Sequence, residues 1–468
     1  MKENRQKPAL PGKKKQSSSQ TQKKHPHIGG SGHSVASKQH TLEKQQNNAG
    51  KHLFLESAES FSFRCFSECL KHCAAKHQIP IDLSGHSIDP LAQLDYDLEL
   101  MLKSAALAEF LKQTHIDCEI SPIQAAPKPR RYRTTTKRRG KIINGKFCLS
   151  MGYDNTIGDD GLALSLLEPV EHETIYRFAL QYFRKPAFTA LANAVNYVII
   201  RGNYRKFAVI INLKMANGII IRKLKEFSVK LNAALPFVSS CYMYLDETGS
   251  DYYFEMTRPE AHKVAFKKLF GPEFLDVTVN GIKLLYPLTA FSQVNEAMLG
   301  PFIETVYKLL EPESGSTLYD LYCGYGLFSL IGAARSAGNV VGIDWEGQAI
   351  KSARANARHL YPTRNFHYFA GAITEDFLSE HLPATPADNE LFLLDPPRGG
   401  TARGVIELIA SRHPRKVLHI FCGTDEIPRE LELWRNAGYR PVIIKPFDMF
   451  AGTANLETVC LLSKLNTK

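Results

Sequence analysis

The chain has 468 residues, of which 44% are hydrophobic and 22% charged, a composition typical of a soluble protein with more than one domain. No apolar run approaches the ~20 residues of a membrane span, and the N-terminus has no apolar segment suited to a secretory signal. The nine cysteines are scattered, which favours reduced intracellular thiols over a disulfide framework. We therefore expect a cytoplasmic protein with no membrane partner.

The formal net charge of +11 is unevenly distributed along the chain. Residues 1–51 contain 11 Lys/Arg and 2 acids, whereas the rest contains 47 Lys/Arg and 45 acids. These first residues are mainly Lys, Gln, Ser, Gly and His, which cannot form a core. We predict a disordered basic tail over 1–51 that attracts nucleic acid weakly and in a salt-sensitive way.

Residues 52–290 are predicted to form an α+β module. Cys65, Cys69 and Cys73 recur at every fourth position, which places them on one face of a helix. We interpret them as small buried residues, and a metal site is the alternative. Helical periodicity follows over 89–112 and 175–194, strands are predicted at 196–200, 207–213, 218–221 and 241–245, and a helix is predicted at 226–235.

A basic segment lies inside this module. Residues 128–141, KPRRYRTTTKRRGK, contain eight Lys/Arg and no acid, with Tyr132 among the arginines. Cations next to an aromatic ring suit phosphates and a stacked base. We predict RNA contacts by Arg130, Arg131, Tyr132 and Arg133, and a solvated charged face is the alternative.

The second half of the chain is organised around residues 317–345, TLYDLYCGYGLFSLIGAARSAGNVVGIDW. An apolar run leads into the turn Cys323-Gly324-Tyr325-Gly326, a small-residue helix follows, and a second apolar run ends at Asp344. Such a strand, glycine turn, helix and acid-ended strand is typical of nucleotide-binding sheets, in which the acid binds ribose hydroxyls. The turn lacks both the third glycine of a dinucleotide site and the lysine of a phosphate loop.

Seven strand-like runs follow from this point, near 317–322, 339–344, 366–370, 390–395, 415–421, 440–445 and 456–463. Helical segments separate the first several runs, which predicts an α/β domain with a mostly parallel sheet. The run at 390–395 ends in Asp395-Pro396-Pro397-Arg398. We place this domain at residues 291–468.

Five elements in this order resemble the S-adenosylmethionine-dependent RNA 5-methyluridine methyltransferases. They are Phe291-Ser292-Gln293-Val294-Asn295, the Tyr322-Cys323-Gly324-Tyr325-Gly326 turn, Asp395-Pro396-Pro397-Arg398, Cys422, and Asp448-Met449-Phe450 followed by Glu457. The resemblance is firm from Phe291 to the C-terminus. It implies a class I (Rossmann-like) methyltransferase domain with a seven-stranded sheet, preceded by the RNA-binding module, and an RNA substrate such as transfer or ribosomal RNA.

The resemblance also implies the roles of single residues. Gln293, Tyr322, Asp344 and Asp395 would bind S-adenosylmethionine. Cys422 would be the nucleophile that adds to uracil C6, and Glu457 would be the base that removes the C5 proton. Some relatives hold an iron–sulfur cluster upstream of a Q-x-x-Y-x-x-x-L-x-x-K segment, which matches here at Gln93, Tyr96, Leu100 and Lys103. Ser87 and Pro90 stand where two cluster cysteines would lie, so no metal cluster is expected.

The chain also departs from the family pattern. The family has S-C-[ND]-P at the nucleophile, whereas this chain has Phe421-Cys422-Gly423-Thr424, and Asn455 replaces the histidine before the base. Two other functions therefore stay open. One is an amino-group methyltransferase of nucleic acid, which would not need Cys422. The other is an RNA-binding homologue that has lost catalysis. The pair Cys422 and Glu457 argues against both.

Overall fold

The computed structural model describes residues 65–83, 89–151, 157–248, 265–333, 338–345, 347–383 and 389–465. The predicted tail at 1–51 and the Ser87 position lie outside these ranges. Among the described residues, no helix is both long and apolar enough to cross a membrane.

Two helices begin the described chain. Helix α1 (Phe66–Lys76) packs on α2 (Tyr96–Gln113), and the rings of Phe66 and Phe110 meet edge to face at 6.3 Å. Asp95 caps α2, since its side chain accepts hydrogen bonds from the amides of Asp97 and Leu98. This cap explains why the helix begins at Tyr96, although its periodicity reaches back to residue 89.

The central module contains a six-stranded sheet whose order is β3-β2-β4-β5-β6-β7. Its strands are β2 (Thr135–Ile143), β3 (Lys146–Ser150), β4 (Val195–Gly202), β5 (Phe207–Leu213), β6 (Val238–Leu245) and β7 (Ala265–Phe270). One face is covered by α3 (Val170–Phe183), α4 (Thr189–Ala194) and α5 (Gly218–Ala234). The predicted strand at 218–221 is wrong: Asn217 caps α5 here, and the isoleucines that follow form its first turn.

The predicted helix over 175–194 is interrupted in the structure. Helix α3 ends at Phe183, and a 3-10 turn from Pro186 to Phe188 leads into the short α4. Pro186 explains the break, because proline cannot donate the backbone hydrogen bond that a continuing helix needs.

A hairpin and a long helix follow the central module. Strands β8 (Phe274–Val279) and β9 (Ile282–Pro287) pair in an antiparallel two-stranded sheet, and α6 (Glu296–Leu310) comes next. Residues of this hairpin and of α6 share one hydrophobic core with the uncovered face of the six-stranded sheet and with the C-terminal sheet. The segment 291–295 therefore lies where these layers meet.

The C-terminal half forms an eight-stranded sheet of order β1-β15-β16-β14-β13-β10-β11-β12. The strands are β1 (Glu119–Ile120), β10 (Thr317–Leu321), β11 (Asn339–Asp344), β12 (Phe366–Ala370), β13 (Glu390–Leu394), β14 (Lys416–Phe421), β15 (Tyr439–Phe447) and β16 (Glu457–Lys464). The described helices between them are α7 (Leu327–Ala333), α8 (Gly347–Leu360), α9 (Glu375–His381), α10 (Val405–Ser411) and α11 (Ile427–Asn436). Only β16 runs antiparallel to its neighbours.

The α/β class predicted from the sequence is confirmed. All seven predicted runs are strands, and the eighth strand, β1, comes from the N-terminal part and pairs in parallel with β15. A two-residue strand has no periodicity to detect, which is why the pattern missed it. The division at residue 291 stays a prediction.

Candidate active site

The candidate site is formed where the parallel strands end. Tyr322 follows β10, Asp344 ends β11, Asp395 follows β13, and Cys422 follows β14. Because β10, β11, β13 and β14 pair in parallel, their carboxyl ends lie at one edge of the sheet. This edge is where ligands bind in open α/β sheets.

The glycine turn after β10 has the backbone geometry of a ligand cradle. Tyr322, Gly324 and Gly326 all have positive φ, at 66°, 55° and 83°. A Cβ added at Gly324 would meet nothing within 4 Å, whereas one at Gly326 would lie 2.8 Å from Leu330 Cδ1. Gly326 is therefore required by packing, and Gly324 leaves open space at the site.

Acidic side chains surround this turn. Asp344 Oδ2 accepts the amide hydrogen of Gly324 at 2.9 Å, which fixes the turn against the end of β11. Asp320, inside β10, accepts the amide of Ser329 at 3.0 Å through Oδ2, and its Oδ1 has no partner among the described residues. Burial, followed by the Asp344 charge, raises the pKa of Asp320 to about 7. An unpaired buried carboxyl oxygen next to a glycine turn suits a cationic ligand.

Cys422 and Glu457 are brought together by the antiparallel pair β14 and β16. Phe421 pairs with Thr458, so Cys422 and Glu457 occupy the next opposed position. The Cys422 Sγ is 3.9 Å from the carbonyl oxygen of Pro396, in the Asp-Pro-Pro-Arg element. The sequence-predicted nucleophile, base and Asp395 therefore share one end of the sheet.

Glu457 is an unusual carboxyl group. It is 1% exposed, and neither carboxylate oxygen has a hydrogen-bond partner in the described part of the chain. Burial, with the nearby Asp395 charge, raises its pKa well above the ordinary value, and Arg398 acts in the opposite direction. A buried acid without a partner favours its neutral form and is typical of functional sites.

The same surroundings favour the protonated form of the Cys422 thiol. Burial raises its pKa to about 12, followed by the charges of Glu457 and Asp395, while Arg398 lowers it. Asp395 itself has its pKa raised to about 7 by burial and by Asp320 and Asp344. A thiolate would therefore require positive charge from a ligand or protonation of these acids. Arg398 is exposed, and the sequence analysis named it only as part of the Asp-Pro-Pro-Arg element, without a role of its own.

Gln293 is half-buried, and the residues on either side of it are firmly held. Ser292 accepts a hydrogen bond from Arg201 at 2.8 Å, and Asn295 donates to the carbonyl of Met449 at 3.1 Å. Val294 accepts the amide of Thr134 at 2.9 Å. Gln293 is therefore fixed between the central module and the loop that precedes Glu457.

That loop is anchored by a buried network of charges. Lys103 lies 2.7 Å from Asp448 and 2.8 Å from Glu99, and all three side chains are 0% exposed. The Tyr96 hydroxyl donates to Asp448 at 2.9 Å, and the Gly452 amide donates to Glu99 at 2.6 Å. The Q-x-x-Y-x-x-x-L-x-x-K segment thus holds the Asp448–Thr453 loop, a role that only the tertiary contacts reveal.

Two of the four predicted RNA-binding residues have packing roles instead. Arg130 pairs with Glu99 at 2.9 Å and donates to the carbonyl of Ala92 at 2.8 Å. Tyr132 is fully buried, and its hydroxyl donates to the carbonyl of Ala451 at 2.9 Å, so its ring is not available to stack on a base. Arg131 is exposed and Arg133 is half-exposed next to Asn295. Burial excludes base stacking by Tyr132, which charge and composition alone could not reveal, and the RNA contacts of Arg130, Arg131 and Arg133 stay a prediction.

The cysteines of α1 point into the core. Cys69 and Cys73 are buried, and the half-buried Cys65 occupies the N-cap position without a capping hydrogen bond from its side chain. No group of three or more metal-ligating side chains occurs within the described ranges. Helix α1 is also tied to the site, since the Phe66 amide donates to Asp425, three residues after Cys422, at 2.8 Å.

Comparisons with known proteins agree with this arrangement. The chain is 24% identical over 400 residues to an uncharacterized RNA methyltransferase of Streptococcus mutans, covering 82% of this chain and 84% of the relative. It is 30% identical over 184 residues to the 23S rRNA (uracil(1939)-C(5))-methyltransferase RlmD of Vibrio parahaemolyticus, covering 39% of this chain and 41% of that protein. No protein-family model matches the chain.

Among solved structures, the chain resembles the Pyrococcus abyssi tRNA (uracil-54, C5)-methyltransferase in complex with S-adenosyl-L-homocysteine. The TM-score is 0.61 at 19% identity, covering 82% of this chain and 86% of the other. The chain therefore shares the fold of that protein, and the similarity extends through the central module as well as the C-terminal sheet.

Proposed function

We propose that this protein is an S-adenosylmethionine-dependent methyltransferase that methylates C5 of a uridine in transfer or ribosomal RNA. The observation that carries the proposal is the opposition of the Cys422 thiol and the buried, unpartnered Glu457 beside a glycine turn. Two of the proteins named above, from Vibrio parahaemolyticus and Pyrococcus abyssi, are named as methyltransferases of uracil C5 in RNA, which supports the same substrate class. An amino-group methyltransferase would have no use for a cysteine opposite a buried acid.

The cofactor would lie along the glycine turn. Asp344 is suited to the ribose hydroxyls, Gly324 leaves room for the ligand, and Tyr322, Gln293 and Asp395 border the same edge. The acids Asp320, Asp344 and Asp395 would attract a molecule that carries a positive sulfonium and an ammonium group. S-adenosylmethionine would supply the methyl group that uracil C5 takes.

The residues of the chain account for the remaining steps. The Cys422 thiolate adds to C6, forming a carbon–sulfur bond and making C5 nucleophilic. After methylation, the Glu457 carboxylate removes the C5 proton, and the electron pair restores the C5–C6 double bond as the thiolate leaves. The positive cofactor would favour the ionised forms of both groups, so the Cys422 thiol and the Glu457 carboxyl release their protons to solvent in the loaded site before the thiolate adds. The target base must be extruded to reach the thiol.

RNA containing 5-fluorouridine tests this mechanism directly. Fluorine at C5 cannot leave as a proton, so the wild-type protein should form a covalent complex with the RNA that survives denaturing electrophoresis. Cys422→Ala should abolish both the complex and methyl transfer, whereas Cys118→Ala, a control at another half-buried cysteine, should retain both. Methyl transfer by Cys422→Ala would favour the amino-methyltransferase alternative. If the wild-type protein binds RNA and cofactor but forms no covalent complex with the RNA, the result would favour an RNA-binding homologue that has lost catalysis.

A further inference from the structure

The outer edge of the C-terminal sheet carries a cavity that the proposed reaction does not use. Strand β12 is the last strand in the sheet order, and helix α8 packs beside it. The two elements and the loop between them enclose about 330 Å³, a volume within the range of small-ligand sites, roughly 300–1,000 Å³. Among the described residues, no acid lines this cavity. Its charged and aromatic lining residues are Arg354, Arg358, Tyr361, Arg364, Phe366 and His367.

The cavity lies away from the catalytic edge of the sheet. Four strand-to-strand steps separate β12 from β14, the strand that Cys422 follows. At about 4.8 Å a step, the edge strand is roughly 20 Å from the candidate nucleophile. Asp344 pairs with Ala370 at the carboxyl end of β12, whereas residues 361–364 of the cavity precede its amino end. A ligand in this cavity is therefore neither the reacting base nor the methyl donor.

Helix α8 supplies cations to the cavity without supplying any acid. Its sequence, GQAIKSARANARHL, contains no Asp or Glu. Arg354 and Arg358 are exposed and four residues apart, so they share one helix face. Like charges in this arrangement destabilise a helix slightly, and an acid on the same face would offset the effect. A helix that keeps its cations without this compensation is typical of a surface that meets an anion.

Neither arginine is neutralised by a carboxylate of the described residues. The Nε and Nη2 groups of Arg354 donate to the carbonyl oxygen of Tyr368, the former at 3.0 Å. A carbonyl orients the guanidinium and leaves its charge uncompensated, in contrast to the carboxylate that holds Arg130. Arg358 has no hydrogen-bond or ion-pair partner within the described ranges. The cavity thus has one oriented cation and one mobile cation.

The Arg354 contact also indicates which kind of ligand fits. An extended peptide adds to an edge strand through the N–H and C=O groups of that strand. Arg354 already occupies the Tyr368 carbonyl, so a peptide strand cannot form a regular ladder with β12. Recognition by side chains is therefore favoured over strand addition.

Aromatic rings form another wall of the cavity. Tyr361 and Phe366 stack with their ring centres 5.5 Å apart, and the Tyr361 hydroxyl donates to the carbonyl of Leu330 at 2.9 Å. The Arg364 guanidinium lies 5.6 Å from the Tyr361 ring centre. Both rings are half-buried and line the cavity, so a part of each is accessible from it. Fixed rings beside arginines suit a nucleobase with its phosphate.

We propose that this cavity binds one nucleotide of the RNA substrate, remote from the target uridine. Arg354 and Arg358 would contact its phosphate, and its base would lie against Tyr361 and Phe366. The inference rests on the proposed function and extends it, because it assigns a second contact that holds the RNA outside the reaction centre. Since phosphate contacts position a nucleic acid, the cavity should contribute to RNA affinity and not to the chemical step.

A charge-matched pair of variants tests the proposal. The cavity variant carries Arg354→Gln and Arg358→Gln. The control carries Arg222→Gln and Arg435→Gln, at exposed positions of α5 and α11. Arg435 lies in the last turn of its helix, as Arg358 does, so both variants lose the same helix-dipole interaction. The probes are a transfer RNA transcript and ribosomal RNA, and dissociation constants are measured over a salt series with the RNA that the wild type binds more tightly.

The cavity variant should bind this RNA at least about tenfold more weakly, with a salt slope lower by about one, because each phosphate contact contributes roughly 0.7–0.9. The control should bind like the wild type. Ultraviolet irradiation of the wild-type complex should crosslink RNA to a peptide that contains residues 361–369, identified by mass spectrometry. Equal losses in both variants, or crosslinks confined to other parts of the chain, would overturn the proposal. A glutamate-rich peptide that binds the wild type but not the cavity variant, with RNA affinity unchanged, would assign the cavity to a protein partner instead.

Arg358→Gln alone separates the RNA contact from the local fold, since it keeps the bond from Arg354 to Tyr368. This variant should bind RNA about threefold more weakly at unchanged thermal stability. If RNA affinity falls only in variants that also lose thermal stability, the cavity has a structural role and the proposal is wrong.

The covalent complex with 5-fluorouridine RNA distinguishes this inference from the proposed function. The cavity variant should form the complex as completely as the wild type, but only at higher RNA concentration. If the wild type forms no complex and the cavity variant still loses RNA affinity, the cavity is correct and the catalytic assignment is wrong. If both proteins form the complex at the same RNA concentrations, catalysis is correct and the cavity assignment is wrong.

Discussion

At the scale of single residues, the site combines a buried acid with a protonated thiol. Glu457 is almost fully buried without a hydrogen-bond partner among the described residues, and Cys422 is opposed to it across two strands. Burial and the charges of Glu457 and Asp395 raise the pKa of the Cys422 thiol, and burial and the charge of Asp395 raise the pKa of the Glu457 carboxyl, so both groups favour their neutral forms. Activation is therefore coupled to the arrival of ligands.

Glu457→Gln should separate the two roles. The amide fills the same space but cannot take a proton, so addition and methylation should proceed while release of the enzyme fails. We expect a covalent RNA–protein complex to accumulate on ordinary RNA, detected by denaturing electrophoresis. Rapid turnover by this variant would exclude Glu457 as the base.

Gly324→Ala should impair the cofactor site without damaging the fold. The added Cβ meets no protein atom within 4 Å, and a left-handed alanine costs about 1–2 kcal/mol. We expect a folded protein whose affinity for S-adenosylmethionine falls at least about tenfold by calorimetry. Gly326→Ala is the contrasting variant, because its Cβ meets Leu330, and it should lose more stability. Unchanged cofactor affinity in Gly324→Ala would place the ligand elsewhere.

Asp320 should make the stability of the protein depend on pH. Its folded pKa of about 7 lies above the ordinary value, so the folded state keeps a proton that the unfolded chain releases near pH 4. The contribution of Asp320 to the free energy of unfolding is therefore complete below pH 4 and is lost as the pH rises toward 7.

Asp320→Asn removes this dependence and keeps an acceptor for the Ser329 amide. Denaturant titration without cofactor gives the free energy of unfolding of the variant and of the wild type at each pH. The variant's value minus the wild-type value should increase by on the order of 3 kcal/mol between pH 4 and pH 8. A difference that stays constant over this range would mean that Asp320 is already ionised at low pH.

At the scale of elements, helix α2 supports the loop that leads to the base. Lys103 compensates Glu99 and Asp448 in an interior that excludes water, and Tyr96 on the same helix face completes the contact. Strand β16 begins shortly after this loop, so the position of Glu457 depends on a helix more than 340 residues earlier in the chain. The hydrogen bonds of the loop at 448–453 connect helix α2 to the start of strand β16.

Lys103→Met should therefore destabilise the protein strongly. Removing this cation leaves the buried Asp448 without a positive partner and Glu99 with Arg130 alone, a change that costs about 3–5 kcal/mol. Lys112→Met, an exposed position on the same helix, is the control and should be nearly neutral. Thermal unfolding measures both. Adding Asp448→Asn to Lys103→Met should recover part of the loss, and no recovery would argue against a direct pairing of these charges.

At the scale of the whole molecule, charge is concentrated in places that suit RNA. The first 51 residues hold 11 of the 58 Lys/Arg, and they lie outside the described residues. Most of the remaining charge is balanced, and internal ion pairs such as Arg138–Glu168 hold part of it inside the fold. The basic tail should therefore contribute to RNA affinity separately from the folded part of the chain.

Deleting residues 1–51 should weaken RNA binding and flatten its dependence on salt while leaving thermal stability and cofactor affinity unchanged. Filter binding over a salt series measures the slope. The control for chain length keeps the whole tail but replaces its Lys and Arg residues with glutamine. This variant should give the same result as the deletion. A slope identical to wild type would mean that the tail does not contact RNA.

The sequence by itself determined the α/β class, the seven long strands and the end-of-strand positions of Cys422, Asp344 and Asp395. Periodicity and turn residues are local, and in a parallel sheet the carboxyl ends must converge, so these features need no knowledge of distant contacts. Local reasoning failed at residues 218–221, where a cap at Asn217 converts an apolar run into a helix.

Only the tertiary structure decided which charged residues are buried. Arg130, Arg138, Glu99, Lys103 and Asp448 read as surface residues in a sequence, yet each is held in an ion pair between segments far apart in the chain. The addition of β1 to the C-terminal sheet and the burial of Tyr132 were likewise decided by long-range packing. The physical reason is that burial and pairing depend on partners that no local pattern contains, so the basic segment could be sorted into structural and exposed cations only in the folded chain.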